Sequence, residues 1–124
     1  MIKKIIFFLF FTLLFSNENN HQIDYSILND NSRPEKERIQ DPYRKALEVY
    51  SFLGIKEEMV VADIDPGGGY NTHLLSKIVK NDGKVICILN THGGGEMPYD
   101  LRKIIKKRIK NANLSNVKVY RKIN

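Results

Sequence analysis

The stretch Val60-Val-Ala-Asp-Ile-Asp-Pro-Gly-Gly-Gly-Tyr-Asn-Thr72 decides how the chain folds. Its first residues, 60–64, are rich in β-branched side chains and predict a strand. Pro66 has no N–H to donate, so the strand ends there. The glycines 67–69 let the backbone turn sharply and let a ligand approach the bare main chain, and a helix is predicted from Tyr70. In an open α/β sheet, ligands bind at this carboxyl end of a strand.

The residues around this stretch extend it into a βαβ unit. The further predicted elements are a helix over 42–54, a helix over 70–80, a strand over 84–90, a helix opened by Pro98 and a strand over 117–123. The run 85–89 is continuously apolar, which is typical of a parallel strand covered on both faces. The sequence therefore predicts an α/β fold with a parallel sheet of about three strands.

The first residues, 1–16, differ in composition from the rest of the chain. Lys3 and Lys4 precede a run, 5–15, that is apolar except for Thr12. This outline is typical of a secretory signal peptide, and the run is shorter than the roughly 20 residues of a membrane span. We therefore predict export to the periplasm or the cell exterior, with an uncleaved amino-terminal anchor as the alternative. A buried core strand, the third interpretation, leaves the lysine pair unexplained.

Residues 17–40 are predicted to be a polar linker that leads into a domain over 41–124. Asn, Asp, Ser and Glu dominate the segment, and apolar residues are sparse. Arg33 and Arg38, followed by Asp41, give it a charged end. Two interpretations stay open, a solvated lead-in and a lid that folds over the ligand site.

The charge of the chain is basic, but its composition is that of an ordinary globular domain. The 124 residues carry a net charge of +6, and 42% of them are hydrophobic. The most basic element is the predicted helix after Pro98, where lysine or arginine occupies 103, 106–108 and 110. We interpret these residues as the solvated face of a sheet-covering helix, with an anionic surface or nucleic acid as the alternative contact. No aromatic residues alternate with the lysines, so the nucleic-acid signal is weak.

Patterns for other chemistries are poorly matched. The single cysteine, Cys87, lies in an apolar run and is predicted to be a small buried residue, with a catalytic thiol as the remote alternative. His21, His73 and His92 are scattered without ligand spacing, so no metal site is predicted, and His73 is expected on a helix surface. The dinucleotide fingerprint G-x-G-x-x-G fails because Thr72 stands at its third glycine.

Several short segments between Arg33 and Leu89 form a recognisable set. They are Arg33…Arg38…Asp41-Pro-Tyr-Arg44, Phe52-Leu-Gly-Ile55, Met59-Val-Val-Ala-Asp63, Pro66-Gly-Gly-Gly-Tyr70-Asn-Thr72 and Gly83-Lys-Val85. Together they resemble the amino-terminal half of class I S-adenosylmethionine-dependent methyltransferases, in particular a predicted exported group. The resemblance implies a Rossmann-like three-layer α/β/α fold, S-adenosylmethionine as the cofactor, and methyl transfer to an acceptor that stays unknown.

The resemblance also implies a set of cofactor-binding residues. The set is Asp63, Asp65, Gly67, Gly68, Gly69, Tyr70 and Asn90. Asp63 matches the acidic residue that helps to place the methionine end of the cofactor, and Gly67 and Gly69 match glycines of the loop beneath it. Carboxylates balance the cofactor's ammonium and sulfonium, and a helix amino terminus attracts its carboxylate. From the residues alone, a solvated strand-end acid or a turn cap is an equal interpretation of Asp63.

Two positions depart from the family pattern, and catalytic residues stay unknown because no general base can be identified. Asp65 stands where many class I methyltransferases have glycine. Asn90 stands where an acid commonly accepts hydrogen bonds from both ribose hydroxyls, and one carbonyl acceptor holds a ribose less strongly. A turn residue is the other interpretation of Asn90.

The largest departure is length, because the chain is predicted to supply about half of the resembled sheet. The first strand then has an unpaired edge, which invites self-association or a partner. Two functions therefore stay open. One is a methyltransferase-like protein, and the other is a truncated, non-catalytic remnant that acts as a small basic binding or interaction protein.

Overall fold

The computed structural model describes residues 22–89 and 100–121, without the side chain of Arg121. The predicted signal peptide, Asn90 and Pro98 lie outside these described residues. The elements in chain order are a 3-10 helix Tyr25–Asn29, α1 Glu35–Arg38, α2 Asp41–Arg44, α3 Ala46–Phe52, β1 Val60–Ile64, α4 Tyr70–Val79, β2 Lys84–Leu89, α5 Leu101–Asn111 and β3 Val117–Arg121. Within the described ranges, no helix is long and apolar enough to cross a membrane.

The three strands form one parallel sheet in the order β1-β2-β3. Asp63 of β1 lies beside Cys87 of β2, and Val85 of β2 lies beside Val117 of β3. Helix α4 connects β1 to β2, and α5 precedes β3, because parallel neighbours need a crossover connection. The predicted Rossmann-like α/β class and the parallel sheet of three strands are confirmed, and the carboxyl ends of the strands meet at one edge.

The hydrophobic core lies on one face of this sheet. Val85 and Cys87 of β2 are fully buried, in one cluster with Leu74 of α4 and Ile105 of α5. Because α4 and α5 follow neighbouring strands and bury their apolar sides here, this face is closed to water. The predicted interpretation of Cys87 as a small buried residue is confirmed.

The opposite face of the sheet is open in the part of the chain that the structure describes. Val60 and Ile64 are 66% and 65% exposed, and Ile86 and Ile88 are half-buried. The expectation that the second strand is covered on both faces does not hold for these residues, because the helices packed on it share the face of Val85. The described elements thus supply two of the three expected layers.

Residues 22–44 form an amino-terminal strap that packs on the domain. Ile23, Arg33 and Glu37 of the strap are 4%, 2% and 7% exposed. The Glu37 carboxylate accepts hydrogen bonds from both terminal nitrogens of Arg108 in α5. The solvated lead-in, one of the two interpretations of residues 17–40, therefore does not describe the segment from Ile23 onward.

The helix predicted over 42–54 is interrupted at Lys45. The φ of Lys45 is +48°, which is left-handed, and its N–H donates to the carbonyl of Asp41 at 3.0 Å. Helix α2 ends there and α3 starts at Ala46. The break therefore replaces the one predicted helix with two short helices.

Candidate functional site

The glycine turn between β1 and α4 leaves part of its main chain open. Asp65, Gly67 and Gly69 have φ values of +55°, +53° and +89°, and the Gly69 N–H donates to the carbonyl of Pro66 at 2.8 Å. A Cβ built on Gly67 or Gly68 meets no heavy atom of the described residues within 4 Å. A ligand can therefore approach the backbone at these two glycines.

The third glycine of the turn has a different role. A Cβ on Gly69 would lie 2.8 Å from Cδ of Arg108 and 2.9 Å from Cδ1 of Ile105. Gly69 is buried beneath α5 and lacks a side chain because the helix packs on it. Of the three glycines predicted to face a cofactor, the structure leaves Gly67 and Gly68 accessible.

Asp63 lies at the carboxyl end of β1 and is 7% exposed. Its Oδ2 accepts a hydrogen bond of 2.6 Å from Oγ1 of Thr72 in α4. The same Thr72 oxygen lies 3.3 Å from Sγ of Cys87. Burial raises the pKa of the Asp63 carboxyl, although the hydrogen bonds from Thr72 oppose the rise. The interpretation of Asp63 as a solvated strand-end acid is therefore wrong.

No lysine, arginine or histidine of the described residues forms an ion pair with Asp63; the four acids with such a pair are Asp30, Asp41, Glu37 and Glu57. A buried carboxylate without a cation is costly to ionise. A ligand that brings a positive group to this end of β1 lowers that cost, because an opposite charge favours the ionised acid.

Tyr70, the first residue of α4, is held by a network from the strap. Its hydroxyl donates to Oδ1 of Asp41 at 2.7 Å, and Arg33 donates two hydrogen bonds of 2.8 and 2.7 Å to the same carboxylate. Arg33 also donates to the carbonyl of Leu28 at 2.7 Å. Burial, with the Asp41 carboxylate, raises the pKa of Tyr70 to about 12. Desolvation alone would raise the pKa of Asp41, but its bonds to Arg33 and Tyr70 hold it below the ordinary value.

Arg44 of α2 lies over the ring of Tyr70. Its guanidinium carbon is 4.4 Å from the ring centroid, and its Nε donates to Oε1 of Gln40 at 2.9 Å. Arg33 lies near the same ring at 5.5 Å. A guanidinium stacked on an aromatic ring gains cation–π attraction, so the strap is anchored at the residue that follows the glycine turn.

The remaining predicted residues are placed as follows. Asp65 is exposed and left-handed, which explains why many class I methyltransferases have glycine at this position, because glycine adopts positive φ without strain. Asn90 lies outside the described residues. His73 is fully buried, so its predicted surface position is wrong.

His73 instead joins α4 to the strap. Its Nε2 lies 3.0 Å from Oδ2 of Asp30, and Lys77 pairs with the same oxygen at 3.1 Å. Desolvation lowers the pKa of His73, although Asp30 opposes the shift. The neutral ring therefore donates from Nε2 to the Asp30 carboxylate.

Sequence reasoning missed the side chains that support the turn, namely Thr72 beneath Asp63 and the pair Arg33–Asp41 beside Tyr70. Both residues were noted as the charged end of the predicted linker, but no local pattern shows that they pair, because they are eight positions apart. Outside this site, a groove of about 240 Å³ lies at the carboxyl end of α4, between Ser76 and Asn116. No group of three metal-binding side chains occurs in residues 22–89 and 100–121.

The family model described as protein-L-isoaspartate(D-aspartate) O-methyltransferase matches residues 15–122 of the chain. No curated protein sequence matches the chain. The matched residues 15–122 include the strap, the glycine turn and the strands β1, β2 and β3.

Among solved structures, the chain is similar to a SAM-dependent methyltransferase from Aquifex aeolicus, with 27% identity and a TM-score of 0.53 over 81% of this chain and 47% of that one. A protein-L-isoaspartate O-methyltransferase has 22% identity and a TM-score of 0.50 over 60% of this chain and 21% of that one. A cyclopropane-fatty-acyl-phospholipid synthase-like protein from Lactobacillus casei ATCC 334 has 19% identity and a TM-score of 0.54 over 71% of this chain and 31% of that one. The last two show a shared fold, and the chain spans less than half the length of each of the three.

Proposed function

Because the chain belongs to the protein-L-isoaspartate(D-aspartate) O-methyltransferase family, we propose that its glycine turn binds S-adenosylmethionine for methyl transfer. The observation that carries the proposal is the open backbone of Gly67 and Gly68 next to the buried carboxylate of Asp63, which forms no ion pair with a described residue. Both features fit the methionine end of the cofactor, which has a cationic ammonium and sulfonium.

In this proposal, the residues of the chain bind the cofactor and orient it. Asp63 pairs with the ammonium of the ligand, and the main chain at Gly67 and Gly68 lies along its methionine end. The amino terminus of α4 attracts the ligand's carboxylate. When bound, the sulfonium supplies the methyl group, whose carbon bonds to the acceptor nucleophile as the carbon–sulfur bond breaks. Such a reaction requires mainly that its two reactants are held in line.

Calorimetric titration of the folded chain with S-adenosylhomocysteine at millimolar concentration tests the proposal. We expect binding by the wild type and at least about tenfold weaker binding by Asp63→Asn, because a charge-assisted contact is lost. Asp82→Asn is the matched control, since Asp82 is exposed in the turn before β2, at the amino ends of the strands and away from the glycine turn. A folded sample without heat of binding, or equal loss in both variants, contradicts the proposal.

The alternative function is a non-catalytic interaction protein, and the open sheet face favours it. We propose that the outer edge of β1, which pairs with no other described strand, associates with a second copy or a partner strand, with the exposed Val60 and Ile64 beside it. Cofactor affinity separates the two functions, because an interaction protein folds and associates without binding S-adenosylhomocysteine.

We also propose that the chain is exported or tethered at the membrane by its first residues. The lysine pair and the apolar run 5–15 support the proposal, and the family match begins after most of that run, at residue 15. Mass spectrometry of the protein recovered from each cell fraction tests it. A full-length chain in the cytoplasm contradicts both forms of the proposal.

A further inference from the structure

Arg44 presents a guanidinium whose outer edge has no partner in the described part of the chain. Its Nε is occupied by Gln40 at 2.9 Å, and one face of the group lies on the ring of Tyr70 at 4.4 Å. Its two terminal nitrogens donate no hydrogen bond to any described residue, and the side chain is exposed. The neighbouring Arg33 differs, because both of its terminal nitrogens bind Asp41.

Because this arrangement already holds the guanidinium in place, a ligand that binds it loses little affinity to the ordering of the side chain. An arginine held by a ring and by one hydrogen bond has lost much of its rotational freedom before a ligand binds. The free edge then offers two parallel N–H donors, which is the geometry that a carboxylate accepts in a bidentate pair. A lysine ammonium lacks this planar fork.

The position of Arg44 places these two N–H donors beside the glycine turn. Tyr70 directly follows Gly69, and the Arg44 guanidinium rests on the Tyr70 ring. Asp41, which would compete for Arg44, is already engaged by Arg33 and by the Tyr70 hydroxyl. Asp41 is therefore already hydrogen-bonded, and the two terminal nitrogens of Arg44 stay available to a ligand.

We propose that Arg44 is a carboxylate-binding residue of this site, which rests on the proposed function. The carboxylate belongs either to the methionine end of the cofactor or to an acidic methyl acceptor. Both sources present the same group to the same two nitrogens, and two ligand pairs distinguish them.

The test compares Arg44→Gln with wild type in calorimetric titrations. S-adenosylhomocysteine has the amino-acid carboxylate, whereas methylthioadenosine has the same adenosine and sulfur without it. If the cofactor is the source, the variant weakens S-adenosylhomocysteine binding by roughly 10- to 100-fold and leaves methylthioadenosine binding unchanged. If the acceptor is the source, only an isoaspartyl peptide with a free α-carboxylate binds the variant more weakly, and its amide analogue does not.

Two further variants keep the test decisive. Arg38→Gln removes a guanidinium from the same strap. That guanidinium binds Asn31 at 3.2 Å and lies over no aromatic ring of the described residues, so the variant is expected to bind the ligands as the wild type does. Arg44→Lys keeps the charge without the fork and is expected to recover only part of the affinity. Equal loss of both members of each ligand pair in Arg44→Gln, or no loss, overturns the inference while the proposed function stands. A folded wild type that binds neither adenosyl ligand overturns both.

Discussion

At the scale of single residues, the three glycines of the turn are not equivalent. No described atom lies within 4 Å of a Cβ built on Gly67 or Gly68, while Gly69 lies beneath Arg108 and Ile105 with a φ of +89°. A methyl group added at the turn therefore acts on ligand binding at one position and on folding at another.

We predict that Gly68→Ala and Gly69→Ala separate these two effects. The Gly68→Ala methyl meets no atom of the residues that the structure describes, so the free energy of unfolding of this variant should stay within about 0.5 kcal/mol of wild type. The same methyl intrudes on the ligand, and affinity for S-adenosylhomocysteine should fall by about tenfold. Gly69→Ala should lower the free energy of unfolding by roughly 2–5 kcal/mol, from overpacking and left-handed strain.

Urea unfolding and calorimetry of both variants measure these effects. Wild-type affinity in Gly68→Ala would show that the ligand does not lie on the turn. Wild-type stability in Gly69→Ala would show that α5 does not pack on it.

Buried His73 predicts a pH dependence of stability. Desolvation lowers its folded pKa below the unfolded value of 6.5, so its contribution is complete above pH 6.5. As the pH falls from 7 to 5, the unfolded chain binds a proton that the folded chain resists, and the free energy of unfolding decreases. The loss is at most about 1.4 kcal/mol for each unit by which the pKa is lowered.

Urea unfolding of wild type and His73→Gln at several pH values tests this dependence. The glutamine keeps an N–H donor for Asp30 but does not titrate, so the variant should lose less stability between pH 7 and 5. Asp63 and the other carboxyls are common to both chains. The difference between the two slopes of unfolding free energy against pH therefore reports the titration of His73. Equal slopes would contradict the assignment.

At the scale of elements, β1, the glycine turn and α4 could be predicted from the sequence. Their side chains follow strand and helix periods, and the glycines mark the turn between them. The strap could not be predicted in this way, because it is joined to the domain by the contacts Asp41–Tyr70 and Glu37–Arg108, whose partners lie far apart in the chain. The burial of Asp63 was likewise unpredictable, since it depends on Thr72 meeting it from the next element.

We predict that Arg33→Met releases the strap. The Arg33 side chain is fully buried and its partner Asp41 is 9% exposed, so removing the cation leaves a poorly solvated carboxylate. Breaking such a pair costs roughly 3–5 kcal/mol. Amide hydrogen exchange over residues 22–44 should accelerate, and the free energy of unfolding should fall.

Arg38→Met provides the control for this prediction. Arg38 lies in the same strap and donates one exposed hydrogen bond to Asn31, so its loss should change stability by about 0.5 kcal/mol or less. Similar exchange rates in both variants would show that the buried pair does not hold the strap.

At the scale of the whole molecule, the proposed association involves the open face of the sheet and the outer edge of β1. We predict that the wild type self-associates with increasing concentration and that Val60→Lys shifts it towards monomer. Val60 is 66% exposed on the open face of β1, and a lysine there opposes edge pairing. Sedimentation velocity over a range of protein concentrations measures the effect.

Val49→Lys is the matched control on α3, where Val49 is 48% exposed. It adds the same charge away from the sheet and should associate as the wild type does. A wild type that is monomeric throughout, or two variants that behave alike, would contradict the association surface.

The central claim is that the glycine turn beside Asp63 holds the methionine end of an adenosyl ligand. Its most direct test is the mapping of backbone amide shifts in a two-dimensional nitrogen–proton NMR spectrum during titration with S-adenosylhomocysteine. The account predicts the largest shifts at Asp63, Gly67 and Gly68, with little change around the distant groove at Asn116. A folded chain whose turn amides stay unchanged, or whose shifts are confined to that groove, would contradict it.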